Sequence, residues 1–165
     1  MRVLGIDPGT LNLGYGIVDE ADGDIALVDC GVVRLTSAIP MEQRLVSLYQ
    51  RLGEVVARYL PNEVAIEEPF VADNARSALA LGRAQAIAIL AAANMKLPVF
   101  RYSPTQVKQQ VTSYGNSSKE QVQEMVRIQL RLDEPPKSID AADALAVAIC
   151  HLHQRQLQNL LTREQ

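Results

Sequence analysis

Hydrophobic residues along this chain change period several times, and each change marks an element. Residues 2–7, 13–20 and 24–34 are short apolar and β-branched runs separated by Pro8-Gly9-Thr10 and by Asp22-Gly23. Runs of that length bounded by turn residues predict strands, so the chain opens as a three-stranded meander. From Pro40 the period lengthens: Leu45, Leu48, Leu52, Val55, Val56 and Tyr59 recur at helical spacing until Pro61 stops them. Residues 64–68 return to a strand pattern. Asn74 can then cap a long helix reaching about residue 94, and residues 98–103 read as a fifth strand. Shorter helices follow over about 104–111 and 119–130. A last helix runs from about Ser138 or Asp140 toward residue 161, with a polar tail from about 155 that is expected to fray. Strands first, then strand and helix alternating, predict one α/β domain over residues 1–165: a mixed five-stranded sheet flanked by helices on both faces.

With 165 residues, 48% of them hydrophobic, the chain can bury a real core. No uninterrupted run of eighteen apolar residues occurs, and the N-terminus opens on a strand pattern, so a cytoplasmic protein without a membrane segment is expected. Cys30 and Cys150 lie far apart in apolar surroundings without a Cys-x-x-Cys partner, which predicts ordinary buried thiols. A net charge of −3 argues against a protein that coats DNA through its overall field. It leaves room for an enzyme whose basic groups are placed locally.

The candidate chemistry lies in four carboxylates. Asp7 closes Val3-Leu4-Gly5-Ile6, Glu67 closes Val64-Ala65-Ile66, and Asp140 and Asp143 open an alanine-rich helix. An apolar strand that ends in an acid delivers that side chain to the sheet edge, where water and a metal can reach it. Asp140 and Asp143, three apart, share one helical face, although helix capping would also explain them. All-oxygen clusters suit Mg²⁺ or Mn²⁺, and hard cations held by few carboxylates usually serve phosphate chemistry. Such a site needs no serine, cysteine or histidine nucleophile. His151 and His153, two or more turns beyond Asp143, read as packing or surface groups. Strand alternation sends Glu67 and Glu68 to opposite faces, so only one of them can join Asp7.

The motifs LGIDPGT (4–10), AIEEPF (65–70), NARSALALGRA (74–84), VKQ (107–109), KEQVQEMV (119–126) and DAADALAVAICH (140–151) together resemble the RuvC family of crossover junction endodeoxyribonucleases, the Holliday junction resolvases. The likeness covers nearly the whole chain. It implies a ribonuclease H-like fold and paired nicking of two strands of a four-way DNA junction, in recombination and repair, leaving ligatable 5′-phosphate ends. It selects Glu67 over Glu68, and it implies that Asp7, Glu67, Asp140 and Asp143 form the catalytic metal site, with two Mg²⁺ ions that Mn²⁺ can replace. Lys108 and Lys119 match lysines near the scissile phosphate, and Phe70 matches an aromatic that wedges against junction bases. Arg76 and Arg83 are candidates for further phosphate contacts. A homodimer and cooperation with the RuvA–RuvB branch-migration machinery are also implied. Consistent with a dimer, the helix around 74–94 carries Leu79, Leu81, Ile87, Ile89, Leu90 and many alanines, leaving little polar surface. The chain departs from its relatives at residues 113–118, where they often carry a glycine-rich stretch, and at Ala86. LGIDPGT also resembles the phosphate-binding opening of actin-like and sugar-kinase folds, but those need a second large domain.

Overall fold

The computed structural model describes residues 1–68 and 75–163. Its elements run β1 (Arg2–Asp7), β2 (Asn12–Ala21), β3 (Asp24–Arg34), α1 (Met41–Tyr59), β4 (Glu63–Glu67), α2 (Ala75–Asn94), β5 (Val99–Tyr102), α3 (Pro104–Thr112), α4 (Lys119–Gln129) and α5 (Ile139–Arg163). The five strands form one sheet in the order β3-β2-β1-β4-β5. β1, β2 and β3 pair antiparallel, whereas β4 and β5 join parallel to β1 and to each other. The β2–β3 hairpin turns at Asp22 and Gly23, both at positive φ (54° and 88°), the conformation that two-residue hairpin loops favour.

One element end differs from the sequence expectation: Pro40 sits at the N-cap of α1, with ψ at 149° and no side-chain cap, instead of inside the first turn. α5 runs through Arg163, close to the expected end near residue 161. The segment 154–163 contains no glycine or proline and is rich in Gln and Leu, so nothing in it stops the helix. The expected capping residue Asn74 lies outside the described residues.

Each face of the sheet has its own core. Leu4, Ile6, Leu13, Ile17, Val64 and Ile66 pack against α1 and α2, and Val3, Val18 and Ala65 pack against α3, α4 and α5. Glycine lets α5 lie directly on the strands. A Cβ on Gly5 would stand 2.1 Å from the Ala144 carbonyl oxygen, and one on Gly14 would stand 2.0 Å from that of Asp140. Gly14 pairs with Asp7 across β1 and β2, so the first turn of α5 is seated beside the end of β1.

On α2, Ala84, Ala88, Ala91 and Ala92 are buried, but Leu79 and Leu90 remain 56% and 49% exposed. By length and composition alone α2 is apolar enough to cross a membrane; it carries Arg83 and Gln85 at its middle and packs beside α1.

Candidate active site

Strand alternation decides which acids meet. Val3, Gly5 and Asp7 share the α5 side of β1, and Glu63, Ala65 and Glu67 share it on β4. Glu68, one residue past β4, is in a loose, exposed ion pair with Arg101 at 3.8 Å. Asp7, Glu67 and Asp143 line one cleft of about 180 Å³ with Lys108, Lys119, Pro104, Val107 and Val122. Asp140 stands further back. It is half-buried, does not line the cleft, and acts on Asp7 only as the weakest of the neighbouring charges.

The two lysines are set by helix caps. Ser103 follows β5 and forms a capping box with Gln106, with Pro104 in the first turn, which starts α3 and carries Lys108 to the cleft. Ser118 and Gln121 form a second capping box, making Lys119 the first residue of α4. Neither capping box figured in the sequence reading, although Ser-x-x-Gln is legible in both places.

The cleft is short of positive charge. Burial, followed by the charges of Glu67 and Asp143, pushes the Asp7 carboxyl up to about 8, against the pull of Lys119. Burial and Asp143 push Glu67 up to about 7, with Lys119 and Lys108 opposing. Among the described residues neither carboxylate has a hydrogen-bond partner. Lys119 Nζ lies 3.1 Å from Asp143 Oδ2. Burial works against its ammonium, but Asp143, with Asp7 and Asp140 behind it, leaves the lysine net above its ordinary value.

Among the described residues no three acid, histidine or cysteine side chains close on a common point in this arrangement. The donor set nevertheless fits a hard divalent cation. It is all carboxylate oxygen and half enclosed, and its Asp7 and Glu67 carboxyls stay raised against the pull of the lysines beside them.

Other candidates fall elsewhere. Arg76 and Arg83 are exposed on α2 and do not line the cleft, and Phe70 lies outside the described residues. His151 is fully buried and held by Glu63 and Tyr102, a packing group as expected, but with partners that the sequence did not announce. Cys30 and Cys150 are free thiols, half-buried and buried.

Residues 3–151 match the family described as Crossover junction endodeoxyribonuclease RuvC. The chain belongs to the RuvC family. A crossover junction endodeoxyribonuclease RuvC from Dehalococcoides mccartyi is 53% identical over 163 residues, covering 99% of this chain and 98% of the relative. Thermus thermophilus RuvC superposes with a TM-score of 0.87 at 35% identity, covering 96% of this chain and 97% of the other. T. thermophilus RuvC in complex with Holliday junction substrate superposes with a TM-score of 0.89 at 36% identity, covering 96% of each. These neighbours bear out the ribonuclease H-like fold implied by the motifs. The RuvC match ends at His151, so the last three turns of α5 lie beyond it.

Proposed function

We propose that this chain resolves four-way DNA junctions by hydrolysing one phosphodiester in each of two strands. The observation that carries the reading is the meeting of Asp7, Glu67 and Asp143 with Lys108 and Lys119 in one cleft of a RuvC-family chain. Asp7, Glu67 and Asp143 hold divalent ions, with Asp140 completing the set from the first turn of α5. The ions are Mg²⁺, replaceable by Mn²⁺, two per site. When bound, they supply Lewis-acid polarisation of the scissile phosphate and lower the pKa of a water. Lys119 and Lys108 direct their ammonium groups at phosphate oxygens, where negative charge grows as the water attacks phosphorus and the 3′ oxygen leaves. The products are a 3′-hydroxyl and a 5′-phosphate. Val107 and Val122 add an apolar part to the cleft's lining.

Phe70 stacks against bases opened at the junction, and Arg76 contacts the sugar–phosphate backbone. The working unit is a homodimer joined through α2, whose Leu79 and Leu90 are exposed beside Ala86 and Ala93. It works in the cytoplasm with the RuvA–RuvB branch-migration complex. The test is cleavage of four substrates side by side with Mg²⁺: a four-way junction, a fork, a linear duplex and an RNA–DNA hybrid. Paired, religatable nicks confined to the junction are expected. Preferential cutting of the hybrid would move the chain to a different nuclease activity on the same fold. Mixing wild-type with Asp7→Asn subunits should give dimers that nick one strand and seldom both.

A further inference from the structure

Four arginines among the described residues are half-buried: Arg2, Arg44, Arg127 and Arg155. Three of them hold a carboxylate: Arg2 with Asp19 at 2.7 Å, Arg127 with Glu124 at 2.7 Å and Arg155 with Glu63 at 2.9 Å. Arg44 holds none. Its only side-chain hydrogen bond among the described residues is a long one, from Nη1 to Thr10 Oγ1 at 3.5 Å. Its Nε is buried and has no partner.

A guanidinium withdrawn from water without a counter-ion is costly, and its five donors form a fork that matches phosphate. Location narrows the choice of anion. Arg44 lies near the start of α1 and reaches the Pro8-Gly9-Thr10 turn that leaves Asp7. It does not line the carboxylate cleft. Thr10, itself buried, accepts from the guanidinium and helps fix its direction.

We propose that Arg44, oriented by Thr10, binds a backbone phosphate of the junction strand close to the phosphate that is cut. This rests on the junction-cleaving reading above. The contact neutralises one DNA charge beside the site without touching the reacting atoms, so it contributes to affinity and register and leaves the chemical step alone.

The experiment measures junction binding in EDTA as a function of salt for the wild type, Arg44→Ala, Arg44→Lys and, as a control, Arg34→Ala at an exposed arginine on β3. Arg44→Ala should weaken binding roughly tenfold and reduce the slope of log K against log salt by about 0.9, the value of one lost phosphate contact. Arg44→Lys should keep most of the slope, and turnover at saturating junction should stay close to wild type. An unchanged slope in Arg44→Ala, or an equal change in Arg34→Ala, overturns the assignment.

Should Arg44→Ala fold poorly, the same question is put from the DNA side with Arg44→Lys and Arg44→Gln. Neutral methylphosphonates placed singly near the cut must weaken the wild type at one position and leave Arg44→Gln indifferent there. Equal losses in both proteins at every position count against the contact. Failure of the wild type to bind the junction at all would instead sink the broader reading.

Discussion

Glu63 and Glu67 occupy the two ends of β4, four residues apart on one face of the sheet, under one helix, yet their surroundings are opposite. Glu63 accepts from Arg155 Nη2 at 2.9 Å and pairs with His151 Nε2 at 2.6 Å. The imidazole's Nδ1 lies 2.7 Å from the Tyr102 hydroxyl, and its ring stands 4.6 Å from that of Phe100. Burial lowers the His151 pKa, so a neutral ring donates from Nε2 to Glu63 and accepts the tyrosine proton at Nδ1. The carboxylate, the imidazole and the phenol there all have partners within the chain, and only Arg155 Nε is left without one among the described residues. At the other end, Glu67 faces Asp143 and Asp7 and is pushed up to about 7.

One helix produces both environments because the two repeats agree. Eight helical residues from Asp143 to His151 rise about 12 Å, and four strand residues from Glu63 to Glu67 span about 13 Å. α5 therefore presents an acid to one end of β4 and an imidazole to the other. Polar groups satisfied inside the chain make structure; acids left facing one another call for a ligand.

The largest expected effect tests this difference directly. Asp7→Asn or Glu67→Gln, each nearly isosteric, should reduce single-turnover junction cleavage by about 10³-fold or more while binding in EDTA survives. Glu63→Gln should leave cleavage within a few fold at a temperature where the variant is folded. The contrast collapses if Glu63→Gln, still folded, loses as much cleavage as Glu67→Gln.

Next in size is Lys119→Ala. A lysine that meets growing charge on the phosphate should depress turnover about 10²-fold with little change in junction affinity. If binding and its salt slope fall instead while saturated turnover holds, Lys119 is an ordinary backbone contact. For stability the ranking of the two ends reverses. His151→Ala opens a cavity and leaves the Tyr102 hydroxyl unpaired, which should destabilise by about 3 kcal/mol in urea. A loss below about 1 kcal/mol would show that the Glu63 end adds little stability.

Much of this was legible along the chain and some was not. The strand ends at Asp7 and Glu67 and the Asp22-Gly23 hairpin are local patterns, and local patterns survive folding when each agrees with its neighbours. The Glu63–His151 contact joins residues 88 apart, so periodicity carries no trace of it. The alanine-rich stretch after Asp143 made a close seating of α5 on the sheet legible, but not that it is met at Gly5 and Gly14: a glycine inside a strand announces a close approach without naming what approaches. The distinction between Asp143 in the cleft and Asp140 behind it depends on how α5 is rotated on the sheet, which helical spacing alone leaves open.

The smallest effect concerns the metal-free protein. The Asp7 carboxyl titrates near 3.8 in an unfolded chain and at about 8 when folded. Between those values the native state binds more protons than the unfolded one, so this group's contribution to stability is full below pH 4 and is lost as pH climbs through 8. In EDTA, the wild-type melting temperature should therefore fall from pH 5 to pH 8 by more than that of Asp7→Asn. At pH 8 the variant should melt about 3 °C or more above the wild type. On the proposed ligand set, Mg²⁺ would bind the folded state alone, so adding it should raise the wild type and close or reverse that gap, while the variant, without the Asp7 carboxylate, gains less. Equal melting curves for the two proteins in EDTA at pH 8 would mean that Asp7 is not held against its own charge. Glu63→Gln serves as the control: that carboxylate already has Arg155 and His151, so losing its charge should lower the melting temperature, with or without Mg²⁺.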